Sequence, residues 1–272
     1  MKNVKIILVF AIMLLVTNVF SAIGYETFTV QENEVFTKVL VKVSREFKSL
    51  DRIFDIIERN YNNYLGNTGM INNLLNFHLS SNECLNNILI YNDKNEITNT
   101  AKAQYNIGAQ LFSDNQGAFD NLFGDTYGFS IPVKTDRSYI PVIYITKPIK
   151  DSNGRIIGRI LMSVDTLKIT ANISSIISNY DINIVICDNF GTLVYDLDME
   201  EIGRNTLTDP MYKNFTELRE LFEKRIIVEK NGEGSYSFYS TGMNQTQKKL
   251  VKWNTLEVFG GKLKVCMNSE RN

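Results

Sequence analysis

The chain has 272 residues, of which 44% are hydrophobic and 11% aromatic, so it can bury a sizeable core and is not a small disulfide scaffold. Its 29 basic and 30 acidic residues nearly cancel, which excludes the basic field that binds phosphate backbones, and nucleic acid is not expected as a partner. Three cysteines allow at most one bridge and exclude a disulfide framework.

Residues 1–22 have the pattern of an export signal. Two lysines precede an apolar run from Ile6 to Phe20, and the small residues Ser21 and Ala22 follow at a position suited to signal peptidase. The run is short for a membrane span of about 20 residues, which favours a cleaved signal peptide. An uncleaved signal anchor is the alternative. Both predict a body that is exported, periplasmic or extracellular, and the second adds a membrane anchor.

Residues 23–66 are predicted to form one long helix. Apolar residues recur there in alternating steps of four and three, which is the pattern of one continuous helix stripe. The stripe ends near Gly66 and Gly69. A helix of this length spans about 50 Å, enough to pass two small lobes. The same period also suits the seam of a coiled-coil homodimer, so both uses stay open. The stripe consists of Phe36, Leu40, Val43, Phe47, Leu50, Phe54, Ile57, Tyr61 and Tyr64.

A second helical stretch, around Met70 to Leu79, leads into strand-like runs that repeat once along the chain. Asn87–Asn95 aligns with Asn183–Gly191, and each segment reads as strand, tight turn, strand. An aromatic strand follows in each copy, at 127–130 and 236–239.

Each copy of the repeat then closes with a hairpin. In the first copy two apolar strands meet across Asn153-Gly154, the strongest short hairpin signal in the chain. In the second copy the turn is Gly260-Gly261. The order of these runs predicts two similar lobes, at residues 67–180 and 181–272.

These features together resemble the double Cache family of extracytoplasmic sensor domains. In that family a long helix supports a membrane-distal and a membrane-proximal PAS-like lobe. The resemblance covers nearly the whole chain after the export signal, and its specificity lies in the order and spacing of its motifs. It implies an α+β fold in which each PAS-like lobe is an antiparallel sheet of about five strands with flanking helices. The motifs that carry it are Lys147-Pro-Ile-Lys-Asp-Ser-Asn-Gly-Arg-Ile-Ile-Gly158, Ser163-Val-Asp165, Asp188-Asn-Phe-Gly191, Ile202-Gly203, Asn231-Gly-Glu-Gly234 and Trp253.

The resemblance also implies where a ligand binds. The distal lobe usually holds it, and amines, amino acids and organic acids are typical ligands of the family. Asp165 stands where the amino-acid-binding members place an aspartate for the amine. The Arg and Trp that grip the carboxylate in those members are missing from residues 101–127. An amine or another small polar metabolite is therefore the expected ligand.

Aromatic residues with polar ends concentrate in the predicted distal lobe, where they suit the pocket of a small ligand. Together with Asp165, the predicted ligand-binding residues are Tyr105, Tyr127, Phe129, Tyr139 and Tyr144. The alternative for each aromatic residue is an ordinary core position in a strand. The alternative for Asp165 is a helix N-cap, because a helical stretch follows it directly.

Nothing in the sequence indicates an enzyme, a metal site or a cofactor. The only histidine, His78, has no cysteine or carboxylate at ligand spacing, and no catalytic residue is predicted. Nucleophile elbows, zinc-binding pairs and phosphate loops are absent from the sequence. One acidic run lacks the order of an EF-hand and is interpreted as a solvated loop. It consists of Asp196, Asp198, Glu200 and Glu201.

Two cysteines fall in predicted neighbouring strands of the second lobe. Cys187 and Cys266 are expected in its first and last strands, where either a disulfide or two buried thiols would fit.

The leading functional hypothesis is an extracytoplasmic sensor module that binds a small molecule in its distal lobe. It is expected to lack a cytoplasmic output of its own, since no kinase, cyclase or methyl-accepting segment follows the second lobe. Such a module would act through a membrane-protein partner or a homodimer. The alternative is an exported structural or interaction protein whose Cache-like lobes bind no ligand.

Overall fold

The computed structural model describes residues 27–102, 127–130, 133–134, 141–240 and 245–271. The helices are α1 (Val30–Asn63), α2 (Thr68–Ser80), α3 (Thr166–Ile177) and α4 (Thr216–Leu221), with a 3-10 turn at Pro210–Tyr212 and a π-helical turn at Phe222–Ile226. The strands of the first sheet are β1 (Leu85–Asn92), β2 (Ile97–Lys102), β3 (Gly128–Phe129), β4 (Val133–Lys134), β5 (Pro141–Lys150) and β6 (Ile156–Asp165). Those of the second are β7 (Ile182–Asp188), β8 (Leu193–Tyr195), β9 (Asn231–Tyr239), β10 (Thr246–Val258) and β11 (Gly261–Arg271).

Helix α1 is the long element that the apolar stripe predicts. It begins with a capping box, in which the Thr29 amide donates to the Glu32 carboxylate at 2.7 Å and the Glu32 amide donates to the Thr29 hydroxyl at 3.1 Å. It ends before Gly66, whose φ of +89° is open to glycine at little cost. Phe47 and Phe54, from the middle of the stripe, are buried. The stripe therefore packs within the chain, and a homodimer stays a prediction.

Two positions of the predicted stripe differ from expectation. Val39 is fully buried where the spacing of the stripe selects Leu40, which is half-buried. Tyr64 lies in the turn after α1 and is 37% exposed. Tyr64 lies beyond Asn63, where α1 ends, so the helical stripe does not extend to it. Which of Val39 and Leu40 is buried depends on the surface against which α1 packs.

The first sheet, with β1–β6, is the core of what we call the N-terminal lobe. Its strand order is β2-β1-β6-β5-β3, with β4 also paired to β5, and all pairs are antiparallel. One face is apolar, with Ile88, Ile143 and Ile160 fully buried. Lys147 lies opposite Ile160 on this face, and its Nζ pairs with Asp55 of α1 at 2.6 Å. The apolar face therefore looks toward α1.

The second sheet, with β7–β11, is the core of the C-terminal lobe and repeats the strand order of the first. That order is β8-β7-β11-β10-β9, again with antiparallel pairs. The turn between β10 and β11 places Phe259 against α1, with ring centroids 6.0 Å from Phe47 and 6.2 Å from Phe54. Both lobes thus contact α1, and the α+β fold predicted from the sequence is confirmed.

Both predicted hairpins are present. Gly154 has a φ of +78°, and the preceding turn is tied by Asp151 Oδ1, which accepts the amides of Asn153 and Arg155 at 2.9 Å each. In the second hairpin the turn lies one residue earlier than the predicted Gly260-Gly261, because Val258 pairs with Gly261 and the turn residues are Phe259 and Gly260. Both have positive φ, at 54° and 67°. Two successive positive φ values are what a two-residue type I′ turn requires.

Two motifs of the second lobe have a packing explanation. A Cβ on Gly232 would overlap the ring of Trp253, which is fully buried, so glycine lets the indole lie against β9. Cys187 and Cys266 are both buried, and both are free thiols. Of the two arrangements that the sequence allowed, the structure has two buried thiols.

Candidate functional site

The sheet of the N-terminal lobe has a second face that is buried and polar. Residues opposite each other on paired strands share a face, and Ser163 of β6 lies opposite both Asn87 of β1 and Tyr144 of β5. Asn87 Nδ2 donates to Ser163 Oγ at 3.2 Å. None of the three side chains is more than 1% exposed. We call this surface the polar face, and by strand register it comprises Asn87, Tyr91, Tyr144, Thr146, Arg159, Ser163 and Asp165.

Asn87 carries an unsatisfied hydrogen-bond acceptor on the polar face. Its Oδ1 is buried and has no hydrogen-bond partner among the residues that the structure describes. A buried acceptor without a partner costs about 1–3 kcal/mol. Such an atom is usually satisfied by a ligand or an ordered water.

Tyr144 and Tyr91 supply neutral hydroxyl groups to this face. Burial raises the pKa of Tyr91 to about 12 and that of Tyr144 further still, with the nearby Tyr91 adding to the second shift. Tyr144 is held at the backbone, where its amide donates to Ser130 Oγ at 2.8 Å and its carbonyl accepts the Ser130 amide at 2.9 Å. Both phenols therefore stay protonated and can donate or accept a hydrogen bond.

Asp165 ends β6 and caps α3. Its Oδ1 accepts the amides of Leu167 at 3.0 Å and Lys168 at 3.2 Å, which is the capping role that the sequence allowed. The side chain is 3% exposed, and burial raises the pKa of its carboxyl. Both capping bonds go to Oδ1, so capping engages one oxygen of the carboxylate.

Arg159 is a member of the polar face that sequence reasoning missed. It lies on β6 opposite Tyr91 and is 9% exposed. The family resemblance places the carboxylate-binding arginine in the segment before the third strand, whereas Arg159 lies on β6. The available signal was a lone charged residue inside the apolar run of β6, because a buried charge needs a specific partner.

The remaining predicted residues lie elsewhere. Tyr127 is on the α1 side of the sheet, where its hydroxyl donates to Asp51 Oδ1 at 2.8 Å and its ring meets Phe54 edge-on at 5.7 Å. Phe129 lies in β3, with its backbone opposite Ile145, and its side chain is outside what the structure describes. Tyr105 and Tyr139 lie outside the described residues. The structure thus brings Tyr144 and Asp165 to one face and places Tyr127 on the other.

The polar face can form hydrogen bonds and ion pairs with a small ligand. It offers two phenols, two aliphatic hydroxyls, one amide, one guanidinium and one carboxylate. Among the residues that the structure describes, no group of three or more His, Cys, Asp or Glu could hold a metal ion. In the same part of the chain no helix is long and apolar enough to cross a membrane.

No protein-family model matches the chain, and no curated protein matches its sequence. Solved structures match its fold. An extracellular ligand-binding receptor from Desulfohalobium retbaense superposes with a TM-score of 0.65 at 19% identity, over 90% of this chain and 41% of that one. The chain therefore spans about two fifths of that receptor's length.

Two other solved structures are matched over most of both chains. The extracellular domain of the putative histidine kinase rpHK1S-Z16 gives a TM-score of 0.61 at 15% identity, covering 88% of this chain and 94% of that one. The ligand-binding domain of the Pseudomonas aeruginosa amino acid chemoreceptor PctB, in complex with L-Gln, gives 0.60 at 9% identity, covering 88% and 89%. The chain thus has the fold of extracellular and periplasmic sensor domains. The resemblance to the double Cache type is confirmed at the level of fold.

Proposed function

We propose that this chain is an extracytoplasmic sensor module that binds a small polar molecule, an amine in the first place, on the polar face of the N-terminal lobe. The observation that carries the proposal is the buried Asn87 Oδ1, which has no partner among the described residues. A protein that used this lobe only as a spacer would gain stability from an apolar side chain there. The fold shared with ligand-binding sensor domains points the same way.

The side chains of the polar face divide the work of recognition. The Asn87 amide and the Tyr144 hydroxyl would bond the polar groups of the ligand. The carboxylate oxygen of Asp165 that does not cap α3 would take an ammonium group. Arg159 would take a carboxylate, so amino acids form the second ligand class to test. The proposal uses Tyr144 and Asp165 from the predicted set and does not use Tyr127, which hydrogen-bonds α1.

The output of such a module depends on α1. Lys147, on the apolar face of the same sheet, pairs with Asp55 and Glu58 of α1 at 2.6 Å each. A ligand that shifts β5 would therefore act on the helix through this ion-pair group. The proposal includes export through residues 1–22, a membrane-distal lobe at 67–180, a membrane-proximal lobe at 181–272, and a membrane-protein partner or second copy that reads the helix.

The experiment is a thermal-shift screen of the purified protein without its first 22 residues, against amines, amino acids, carboxylates and purines. A ligand that binds the folded state raises the melting temperature by mass action, and at a hundred times its Kd the stabilisation is about 2.7 kcal/mol. We expect an amine to give the largest saturable shift. A screen in which no class stabilises the protein would favour the alternative, a structural or interaction protein without a ligand.

Matched variants test the site itself. Tyr144→Phe removes one hydroxyl and keeps the ring, and Asn87→Leu replaces the amide with an apolar group of similar size. Both should abolish most of the shift given by the ligand while the protein without ligand still melts cooperatively. Tyr127→Phe is the control from the other face of the sheet, and it should leave the ligand-induced shift unchanged. Equal effects from Tyr127→Phe and Tyr144→Phe would contradict the proposed site.

A further inference from the structure

The C-terminal lobe contains a cavity on the face of its sheet that corresponds to the polar face. The cavity has a volume of about 50 Å³, which is more than one water molecule needs and suits a ligand of a few non-hydrogen atoms. Tyr212, Tyr236 and Phe238 form its aromatic wall, and none of them is more than 6% exposed. The polar wall consists of Asn183, Asp196, Asp198, Glu201, Thr206, Lys249 and Asn268, with Ser240 at one side.

Two carboxylates of this wall are held in fixed positions. Asp196, directly after β8, is 6% exposed, and its Oδ1 accepts from Asn183 Nδ2 at 3.2 Å and from the Asp198 amide at 3.0 Å. Glu201 Oε2 accepts from the Tyr212 hydroxyl at 2.9 Å. The interpretation of this acidic run as a solvated loop is wrong for these two residues, because the turn after β8 folds them inward over the sheet.

Buried polar atoms in the cavity wall lack partners. Thr206 is 2% exposed, and its Oγ1 has no hydrogen-bond partner among the described residues. The Oδ1 atoms of Asn183 and Asn268 are likewise buried without a described partner. Three such atoms around one cavity point to hydrogen bonds that a bound molecule would make.

The net charge of the cavity wall indicates the charge of the molecule that would bind there. Asp196, Asp198 and Glu201 against Lys249 give three negative charges and one positive, a net of −2 when all are ionised. Lys249 is itself paired with Glu270 at 3.2 Å. Burial raises the pKa of Asp196 to about 6 and that of Glu201 to about 7. The free protein therefore holds these carboxylates ionised at a cost that a cation would relieve.

We propose that this cavity is a second binding site, which takes a small organic cation with a primary ammonium group. An ammonium has three N–H donors, and Asp196, Glu201 and Thr206 supply three acceptors. The site is separate from the polar face of the N-terminal lobe, so it goes beyond the proposed function.

Ethylammonium chloride, titrated into the purified full chain at pH 8, is the first probe. Trp253 is the only tryptophan of the sequence, and it lies in the same hydrophobic cluster as Val251, Tyr236 and Cys266, which line the cavity. Its fluorescence therefore reports on the C-terminal lobe. We expect a saturable change in Trp253 fluorescence together with a rise in melting temperature. Sodium acetate should give neither, and tetramethylammonium, which has no N–H donors, should bind more weakly.

Isosteric variants separate binding from folding. Asp196→Asn and Glu201→Gln keep the size of each side chain and an oxygen acceptor for its neighbour, and each should weaken ethylammonium binding about tenfold or more. Glu200→Gln is the matched control, because Glu200 is exposed on the same turn and does not line the cavity. It should bind like the original chain.

The pH dependence gives an independent readout. Affinity should fall as the pH drops from 8 to 5, because Asp196 and Glu201 take up protons that compete with the cation. The groups that face this pair are Asp198 from the same turn, Tyr212 from the 3-10 segment, Tyr236 from β9 and Lys249 from β10. A flat pH profile over that range would contradict the proposal.

Three outcomes would overturn this second site. The first is unchanged affinity in both Asp196→Asn and Glu201→Gln. The second is acetate binding as tightly as ethylammonium. The third is loss of the response in Asp165→Asn together with its retention in Asp196→Asn, which would place the amine in the N-terminal lobe and support the proposed function alone.

Discussion

The two lobes have sheets with the same strand order, but the polar face of the first sheet and the corresponding face of the second carry different side chains. Asn87 of β1 and Asn183 of β7 occupy matching positions, and each has a buried Oδ1 without a described partner. Asn87 donates to the hydroxyl of Ser163, whereas Asn183 donates to the carboxylate of Asp196. The shared strand order places an asparagine at the same position of each sheet. The charge next to that asparagine differs, because the turn after β8 brings Asp196 to Asn183, whereas Asn87 has the neutral Ser163 as its partner. The same strand order thus carries two different sets of buried polar groups.

A second pair of matching positions shows the same division. Arg159 of β6 lies opposite Tyr91, and Lys264 of β11 lies opposite Cys187. The two equivalent strands thus each carry a basic residue at this position. Lys264 is 1% exposed, and its Nζ donates to the Glu229 carbonyl and to Thr255 Oγ1 at 2.7 Å each. In the C-terminal lobe this cation ties strands and turns together, which leaves its cavity with a negative balance.

The largest expected change in stability tests how the packing on the polar face of the N-terminal lobe differs from that on the corresponding face of the C-terminal lobe. Thr146 and Trp253 stand at matching positions of β5 and β10, opposite Leu161 and Cys266. Trp253→Ala should lower the free energy of unfolding by about 3–5 kcal/mol, because it leaves a large void in a fully buried cluster. Thr146→Val keeps the side-chain volume and should cost only about 1 kcal/mol, for the lost hydroxyl. Urea unfolding of both variants measures the difference. Similar costs would mean that the two faces are packed alike.

A smaller effect is expected from the buried acid of the C-terminal lobe. The pKa of Asp196 in the folded chain is about 6, above the value of about 3.9 in an unfolded chain. The folded state therefore binds more protons between these values, and stability should fall as the pH rises from about 4 to 7. Asp196→Asn should flatten this decline and stabilise the ligand-free protein at pH 8 by about 3 kcal/mol.

Thermal unfolding between pH 4 and 8 checks this sign, with Glu200→Gln as the exposed control from the same turn. A destabilised Asp196→Asn at pH 8 would show that Asp196 makes a favourable interaction that the raised pKa does not reflect. It would also contradict the inference that a bound cation offsets the cost of ionising Asp196.

The smallest effect separates two roles of Asp165 in the N-terminal lobe. Asp165→Asn keeps a side-chain oxygen for the Leu167 and Lys168 amides, and asparagine caps helices as well as aspartate does. It should change the free energy of unfolding little, whereas Asp165→Ala should cost about 1 kcal/mol. Denaturant unfolding of both variants without ligand measures the cap. A large loss of stability in Asp165→Asn would show that the charge itself supports the fold.

Much of the fold could be predicted because its signals are local. The apolar period of α1, the Asn153-Gly154 turn and the repeat between Asn87–Asn95 and Asn183–Gly191 are each read within a few dozen residues. The exact core position was less predictable. Val39 is buried in place of Leu40, because the sheet surface that α1 meets decides which side chain fits.

The candidate sites were predictable only in part. Tyr144 and Asp165, two of the predicted ligand-binding residues, lie on the polar face, since alternation along β5 and β6 fixes their side. Tyr127 does not, because its hydroxyl finds Asp51 across a separation that no local pattern encodes. The sequence predicts a solvated acidic turn after β8, whereas Asp196 is buried against Asn183. Burial of a charge depends on which element covers it, and that is a tertiary property.

The sequence by itself determined the long helix, the two sheets and the turns that join their strands, because periodicity and glycine positions are enforced by backbone geometry within each segment. Only the tertiary structure decided which polar side chains meet. Asn87 and Ser163 are 76 positions apart in the chain, and Asp196 reaches Asn183 by folding back over β7. Strand register and the turn after β8 bring these groups together. Their hydrogen-bonding requirements and pKa values follow from the burial that results.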